Sequence, residues 1–168
     1  MPKRIRAAVA ALDVAAGDRL LEIGCGPGVA ISLVCERLGD RGTITAIDRS
    51  AVAVGRALRR NASCVAAGRA GVHRAAFTAE DLAAAGLAGR TYDKVFSVNV
   101  NLFWTGPATA ELALARASLA PGGRLYAFYE PPGSRTSEIA GRVSAAFAAA
   151  GFAPTVGTDG VLFVVSGS

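Results

Sequence analysis

Short apolar runs alternate with helix-forming segments along most of this chain of 168 residues. When strands alternate with helices in this way, the strands pair in parallel and the helices cover both faces of the sheet. The pattern predicts five strands, at 19–23, 43–48, 72–77, 92–100 and 124–130. It also predicts helices at 29–38 and 50–67, one from Thr105 or Thr109 to 119, and one from Ser134 or Ser137 to 151. An α/β fold is therefore expected.

The last stretch, PTVGTDGVLFVVS (154–166), departs from this alternation. Two short apolar runs meet around Asp159-Gly160, a dipeptide typical of tight turns, and too few residues join them for a crossover helix. Strands so close in sequence must run antiparallel. We therefore predict a seven-stranded, mostly parallel sheet with a C-terminal antiparallel hairpin and helices on both faces. The length predicts one domain, 1–168, with an N-terminal helix in 1–18 and a core in 19–168.

The first predicted strand runs into a glycine-rich turn, LLEIGCGPGVA (20–30). Glycines in such a turn let a cofactor approach the backbone closely, because they carry no side chain. The spacing does not match the dinucleotide pattern G-x-G-x-x-G, since Val29 or Ile31 stands where the third glycine belongs. It does not match a P-loop either, since no Lys-Ser/Thr pair follows. The spacing is E-x-G-x-G-x-G, formed by Glu22, Gly24, Gly26 and Gly28.

Several ordered motifs resemble those of class I S-adenosylmethionine-dependent methyltransferases, over nearly the whole chain. LLEIGCGPG resembles the family's first motif, whose turn wraps the methionine end of the cofactor. The later motifs are AIDRS (46–50), AEDL (79–82), YDKVFSVNVNLFW (92–104) and LAPGGRLYAF (119–128). The resemblance implies a Rossmann-like methyltransferase fold whose last strand is inserted, antiparallel, beside the fifth. It implies S-adenosylmethionine as cofactor, S-adenosylhomocysteine as product, and cofactor-binding residues at Glu22, Gly24, Cys25, Gly26, Gly28, Asp48, Arg49, Asp81, Leu82, Asn99 and Asn101.

Three acidic positions have alternative interpretations. Asp48 follows Gly28 by 20 residues, where its carboxylate either accepts hydrogen bonds from both ribose hydroxyls or caps a helix. Glu22 ends a buried strand and needs a positive partner, which is either a cofactor ammonium group or a basic side chain, Arg19 or Lys94. Asp81 either accepts from the adenine amino group or caps the turn at 82–85. Cys25 is interpreted as a small filler rather than a nucleophile.

Acceptor-side residues are expected after the fourth and fifth strands, whose ends border the methyl group. Trp104 either lines the acceptor pocket or packs under the next helix. Tyr129 and Glu130 precede a stiff Pro131-Pro132-Gly133 turn; either they orient or deprotonate an acceptor, or Glu130 is simply solvated. NLFW (101–104) lacks both prolines of the N-P-P-Y/F/W signature of amino methyltransferases acting on nucleic acid or protein.

We therefore expect methyl transfer to a small or medium organic acceptor by in-line displacement. RNA or protein methylation and a non-catalytic S-adenosylmethionine-binding subunit remain alternatives. The short N-terminal segment, and the lack of a long insertion after the fifth strand, leave the pocket with little lid. Either the acceptor is large and partly exposed, or a second subunit of a homodimer covers the pocket, or the first helix (Lys3–Val14) folds over it.

The amino-acid composition limits where the protein is expected to be located and which partners it is expected to bind. The three cysteines, Cys25, Cys35 and Cys64, are an odd number without metal-ligand spacing, which predicts reduced thiols, a cytoplasmic protein and no metal site. No apolar run approaches the roughly 18–20 residues that span a membrane. The net charge of +5 is mild, and a solvated helix face is predicted for much of the arginine. Attraction to an acidic partner stays open, but scattered arginines disfavour nucleic acid.

Overall fold

Seven strands form one sheet in the computed structural model, which describes residues 2–130, 135–158 and 161–167. The strands are β1 (Arg19–Ile23), β2 (Thr43–Asp48), β3 (Ala70–Arg74), β4 (Tyr92–Val98), β5 (Leu119–Tyr129), β6 (Thr155–Thr158) and β7 (Leu162–Gly167). Their order across the sheet is β3-β2-β1-β4-β5-β7-β6. The first five pair in parallel, and β7 runs antiparallel between β5 and β6. The predicted mostly parallel sheet with an antiparallel ending is confirmed.

Helices cover both faces of this sheet. They are α1 (Lys3–Ala11), α2 (Val29–Cys35), α3 (Ala51–Arg60), α4 (Ala62–Ala66), α5 (Ala79–Ala84), α6 (Thr109–Ala117) and α7 (Thr136–Ala149), with a 3-10 turn at Asn101–Phe103. Successive strand residues point to opposite faces, so Leu20 packs in the core beneath α1 and α2, whereas Leu21 packs in the core beneath α6 and α7. Each face of the sheet therefore has its own hydrophobic core.

Two element boundaries differ from the expectation in ways that matter for the site. The helix predicted over 50–67 is interrupted at Asn61, which separates α3 from α4. Ser50 does cap α3, because its hydroxyl accepts a hydrogen bond from the Ala53 amide at 3.2 Å. The helix after β4 begins at Thr109, since Thr105 instead donates its hydroxyl to the Asn101 carbonyl at 2.7 Å.

A disulfide joins Cys35 to Cys64, with 6.5 Å between the two Cα atoms. The expectation of three reduced thiols is therefore wrong for these two residues. They are 29 positions apart in sequence, and only the packing of α4 beside the end of α2 brings them together. Cys25 is free and buried.

Some predicted features fall outside the described residues: the Asp159-Gly160 turn, the Pro131-Pro132-Gly133 turn and the helix start at Ser134. Within the described ranges, none of the helices is long and apolar enough to cross a membrane.

The strand order locates the candidate site. From β1 the chain builds outward to β2 and β3, then returns to place β4 on the other side of β1. The loops after β1 and β4 therefore leave the sheet in opposite directions and open a crevice at the carboxyl ends of the strands, where ligands bind in open α/β sheets.

Candidate cofactor site and active site

A cavity of about 590 Å³ occupies this crevice. Its walls come from the carboxyl ends of the four parallel strands β1 to β4, from the loops after them and from the first turn of α6: Ile23, Gly24, Ile47, Asp48, Arg49, Ala75, Ala76, Phe77, Thr78, Asn99, Val100, Asn101, Leu102, Thr105 and Glu111. Five of the predicted site residues therefore line one cavity: Gly24, Asp48, Arg49, Asn99 and Asn101.

The glycine-rich turn is hydrogen-bonded to the end of β2. The amides of Gly24 and Cys25 both donate to the Ile47 carbonyl, at 2.9 and 3.0 Å. The Gly26 amide donates to Asp48 Oδ2 at 2.9 Å. Gly24, Gly26 and Gly28 have φ angles of +74°, +52° and +76°, a region that residues with a side chain rarely adopt. The three glycines thus allow the turn to bend around the carboxyl end of β2.

The three glycines differ in what surrounds them. A Cβ on Gly24 would lie 2.6 Å from Val100 Cγ2, and one on Gly28 would lie 2.8 Å from the Ala57 Cα. A Cβ on Gly26 would meet no described atom within 4 Å. Gly24 and Gly28 are therefore required by packing inside the protein, whereas Gly26 faces open space that a ligand can enter.

Asp48 is held with its carboxylate at the cavity wall. Its Oδ1 accepts from the Ser50 amide at 2.8 Å, while its Oδ2 accepts from Gly26. Because the hydroxyl of Ser50 is the side-chain cap of α3, Asp48 is not needed for that task. Each carboxylate oxygen has more than one acceptor site, so Asp48 can still accept hydrogen bonds from a ligand.

Glu22 is a buried carboxyl group without a counter-charge in the part of the chain that the structure describes. The residue is 3% exposed, and its Oε2 has no hydrogen-bond partner among the described residues. Burial, with a smaller contribution from the Asp48 charge, raises the pKa of Glu22 to about 8.

The two basic side chains considered as structural partners of Glu22 pair with other residues. Arg19 forms an ion pair with Asp93 at 2.9 Å, and Lys94 forms one with Asp18 at 2.6 Å. The structural alternative for Glu22 is therefore wrong, and the position is suited to a positively charged group from a ligand.

Cys25 is unsuited to nucleophilic chemistry. Burial raises the pKa of its thiol to about 12, and the nearby Glu22 and Asp48 carboxyl groups add to the shift. A thiol that stays protonated is a poor nucleophile, so its location fits the interpretation as a small filler.

Asp81 lies in a neighbouring hollow of about 480 Å³, which it lines together with Arg49 and Arg74. Its Oδ2 accepts from the Ala76 amide at 2.6 Å, so it fixes the loop that forms one wall of the main cavity. Thr78 caps α5, which rules out the capping role considered for Asp81. Leu82 is buried in the core, and its amide donates to the Thr78 carbonyl; the structure therefore does not bring it to either hollow.

Asn99 joins the ends of β4 and β5. Its backbone has a φ of +54°, its amide donates to the Phe128 carbonyl, and its Oδ1 accepts from the Glu130 amide at 2.7 Å. These bonds leave its main-chain carbonyl and its Nδ2 for a ligand. Asn101 lines the same side of the cavity from the start of the 3-10 turn.

The three predicted acceptor residues do not line the cavity. Trp104 packs against the core, with the Arg135 guanidinium 5.2 Å from the ring centroid. Tyr129 is 3% exposed, and burial raises the pKa of its hydroxyl. Glu130 is exposed and forms an ion pair with Arg4 at 3.2 Å. Trp104 therefore lies against the core and beside the residue that precedes α7, outside the cavity wall.

Sequence reasoning missed several residues of the cavity wall, notably Phe77, Thr78, Thr105 and Glu111. Thr78 and Glu111 could have been predicted from the sequence, because each lies at the beginning of a helix that follows a parallel strand.

Within the described part of the chain, there is no group of three or more His, Cys, Asp or Glu residues that could hold a metal ion.

Comparisons with known proteins agree with this geometry. The family described as "Methyltransferase domain" matches residues 20–123. The structure of a methyltransferase from Aquifex aeolicus that depends on S-adenosylmethionine is similar, with 16% sequence identity and a TM-score of 0.76. The match covers 97% of this chain and 88% of the Aquifex chain. Fibrillarin from Aeropyrum pernix is also similar, with 16% identity and a TM-score of 0.73; the match covers 96% of this chain and 74% of fibrillarin.

A third structure, from Thiobacillus denitrificans, is a methyltransferase in complex with S-adenosylhomocysteine. It has 20% identity and a TM-score of 0.65, covering 92% of this chain and 65% of its own. A comparison with curated proteins found no match. The family match extends over more than half of the chain, and the structural similarity extends over nearly all of it. The chain therefore belongs to the methyltransferase domain family and has the fold of the class I enzymes that depend on S-adenosylmethionine.

Proposed function

We propose that this protein transfers the methyl group of S-adenosylmethionine to a small or medium organic acceptor by in-line displacement. The single observation that carries the proposal is the buried Glu22 carboxyl group, which lacks a positive partner among the described residues and lies just before the glycine-rich turn. A cofactor whose amino acid end carries an ammonium group supplies that partner.

The chain's residues fit the cofactor as follows. Glu22, once deprotonated, accepts hydrogen bonds from the ammonium group, directly or through water. The open side of Gly26 admits the methionine end, and Asp48 accepts from the ribose hydroxyls. Asn99 offers its main-chain carbonyl and Nδ2 on the opposite wall. We also propose that Asp81 accepts a hydrogen bond from the adenine amino group. Leu82 is buried in the core, so no contact with the cofactor is proposed for it.

The chemistry requires little from the protein beyond alignment and the exclusion of water. Bound S-adenosylmethionine supplies a methyl group on a sulfonium, which is already a good leaving group. Apolar wall residues such as Phe77 and Leu102 reduce the access of water to the cavity. A general base is needed only if the acceptor arrives protonated. Tyr129 is unsuited to that role because its pKa is raised, while Glu130 is exposed, paired with Arg4 and absent from the cavity wall.

The ion pair between Arg4 and Glu130 supports the first helix as a cover for the acceptor side. Arg4 lies in the first turn of α1, and Glu130 directly follows β5. We therefore favour α1 over a second subunit, although a homodimer that covers the pocket remains part of the proposal. Light scattering of the purified protein distinguishes a monomer from a dimer.

A calorimetric titration with S-adenosylmethionine, S-adenosylhomocysteine and NAD tests the proposed cofactor. We expect binding of the first two, and weaker binding of S-adenosylhomocysteine to Glu22→Gln. Tight binding of NAD without binding of S-adenosylhomocysteine would refute the proposal.

Incubation of the enzyme with methyl-labelled S-adenosylmethionine and an extract of the source organism tests the acceptor. Label in the small-molecule fraction supports the proposal, and label in the RNA or protein fraction contradicts it. No labelled product in any fraction would favour a non-catalytic cofactor-binding subunit.

RNA is the second candidate acceptor, because residues 49–79 contain arginine but neither Asp nor Glu. Arg56 and Arg59 are exposed on α3, and Arg49 lines the cavity. Such a surface attracts phosphate. However, the exposed large apolar side chains found among the described residues are Val52, Leu58 and Val156, and none is an aromatic ring on which a base can stack. We therefore place the small acceptor first.

A cytoplasmic location is also proposed, and the Cys35–Cys64 disulfide weighs against it, since disulfides are rare in reducing compartments. Counting the reactive thiols of the protein isolated from its source decides the matter. Three thiols in the unfolded protein, without added reductant, support the cytoplasm; one contradicts it.

A further inference from the structure

A buried amide side chain connects the glycine-rich turn to the break between α3 and α4. Asn61 is 3% exposed. Its Nδ2 donates to the Gly28 carbonyl and to the Ala57 carbonyl, both at 2.9 Å, and its Oδ1 accepts from the Ser32 hydroxyl at 2.7 Å. Both N–H groups of the amide are therefore used, which makes its orientation specific.

The contact at Gly28 is close as well as hydrogen-bonded. A Cβ on Gly28 would lie 2.6 Å from Asn61 Nδ2, so the amide lies against the glycine itself. Gly28 is the residue before α2 and the last glycine of the turn. The direction in which α2 leaves the turn therefore depends on the position of Asn61.

The other end of α2 is attached to the same segment. Cys35, the last residue of α2, is disulfide-bonded to Cys64, three positions after Asn61. Arg69 donates from Nη1 to the carbonyls of Cys35 and Leu38, at 3.2 and 3.1 Å. We call the Asn61 hydrogen bonds together with the Cys35–Cys64 disulfide the α2 clamp.

We propose that Asn61 is a positioning residue for cofactor binding, and that the α2 clamp keeps the turn from Gly24 to Gly28 in its binding conformation. The inference rests on the proposed cofactor. α2 is seven residues long and mostly buried, so core packing holds its body while the contacts at its two ends fix how it joins the turn. Reduction of the disulfide releases one end and weakens cofactor binding, which makes affinity depend on the redox state of Cys35 and Cys64.

Calorimetric titration with S-adenosylhomocysteine tests the role of Asn61. Asn61→Asp is nearly isosteric but replaces the donor with an oxygen that faces the Gly28 carbonyl. We expect it and Asn61→Ala to weaken binding by about tenfold or more, as when a buried hydrogen-bond partner is lost. Val143→Ala is the matched control, because Val143 is fully buried in the core on the opposite face of the sheet. It lowers the melting temperature but should leave the dissociation constant within about twofold of the wild-type value.

Two results would overturn the proposal. One is wild-type affinity in both Asn61 variants. The other is an equal loss of affinity in Val143→Ala, since binding would then simply follow stability. All titrations are made well below the lowest melting temperature.

Reduction of the wild-type protein tests the other end of α2 without any substitution. A dithiol converts the Cys35–Cys64 bond to two thiols and is itself oxidised to a cyclic disulfide, so two electrons and two protons are transferred. We expect binding of S-adenosylhomocysteine to weaken several-fold and to recover on reoxidation, while the double variant Cys35→Ser/Cys64→Ser does not respond. An unchanged affinity after reduction would contradict the clamp.

Amide hydrogen exchange of the ligand-free protein separates this proposal from the proposed function. We expect faster exchange of amides in residues 24–32 after reduction and in Asn61→Asp. Unchanged exchange overturns the clamp, whereas failure of the wild-type protein to bind S-adenosylhomocysteine overturns the proposed cofactor.

Discussion

At the scale of single residues, Glu22 makes the stability of the folded protein depend on pH. Its pKa is about 8 in the folded protein because burial penalises the charged form. In the unfolded chain the carboxyl group returns to its ordinary pKa of about 4.3. Between these two values the folded state binds more protons than the unfolded state, so the free energy of unfolding falls as pH rises.

We therefore predict that Glu22→Gln removes this dependence. The wild-type protein should lose stability between about pH 4.5 and pH 8, and the variant should lose clearly less over the same window. Urea unfolding at pH 5 and pH 8 measures the difference. Glu36→Gln is the control, because Glu36 is exposed and should leave the wild-type dependence intact. If the free energy of unfolding changed equally with pH in wild type and in Glu22→Gln, the pKa of Glu22 would not be raised in the folded protein.

Asp48 allows a second test at this scale. Asp48→Ala should weaken binding of S-adenosylhomocysteine by about 1–3 kcal/mol, since a charged hydrogen-bond acceptor is lost at the cavity wall. Ser50→Ala removes the cap of α3 at a cost in stability of about 1 kcal/mol but should leave the affinity unchanged. Calorimetric titration of both variants checks this. If Ser50→Ala weakens binding as much as Asp48→Ala, the carboxylate acts only through the fold.

Spacing along the sequence predicted where the glycines, Glu22 and Asp48 lie, because each is fixed relative to the end of a strand. It could not predict on which side of the sheet Tyr129 lies. Successive strand residues point to opposite faces, so a side chain at a strand end faces a core or the crevice according to a register that the sequence does not reveal. Tyr129 faces the core that contains Leu21.

At the scale of elements, the bounds of β1 and β2 could be predicted exactly from their apolar runs and flanking glycines, and those of the helices could not. Asn61 appears in sequence as an ordinary polar residue in a helical segment. Its side chain instead bonds to Gly28 and Ser32, contacts between distant segments that no local pattern encodes. The Cys35–Cys64 disulfide was missed for the same reason.

Two glycine substitutions should change the free energy of unfolding in opposite directions, one in the glycine-rich turn and one in a helix far from it. Gly28→Ala should lower the free energy of unfolding by about 2 kcal/mol or more, because φ is +76° and the new methyl group would overlap Ala57. Gly141→Ala lies inside α7, with no described atom within 4 Å of the new Cβ, and should raise it by about 0.5–1 kcal/mol. Urea unfolding measures both changes. A neutral Gly28→Ala would contradict the close packing of α3 on the turn.

At the scale of the whole molecule, the sheet topology and the family are both confirmed. The topology followed from the order of the elements, whereas the family followed from the resemblance of several ordered motifs to those of known methyltransferases. The acceptor could not be predicted in the same way. The crevice is built from strand ends and loops that the fold provides for the cofactor, whereas acceptor contacts depend on side chains whose directions vary from loop to loop.

Because the cavity lies between the two halves of one sheet, ligand binding should stabilise the whole domain. We predict that S-adenosylhomocysteine at 100 times its dissociation constant raises stability by about 2.7 kcal/mol. For a domain of this size the melting temperature should rise by about 5–10 °C. Differential scanning fluorimetry measures the shift, and Glu22→Gln should reduce it at the same ligand concentration. An equal shift with NAD would contradict the proposed cofactor.

During synthesis on the ribosome, one edge of β5 is exposed until the last strand, β7, has been made. Among the strands that the structure describes, β6 pairs with β7 alone, and β7 is made after it. The outer edge of β5 therefore stays unpaired until β7 has emerged, while the segment between them is translated. During that interval the nascent chain already contains the glycine turn and Asp48, but it presents an open strand edge to any neighbouring chain. Slow translation after β5 would prolong that exposure and favour pairing between nascent chains, whereas a chaperone that covers the edge would prevent it.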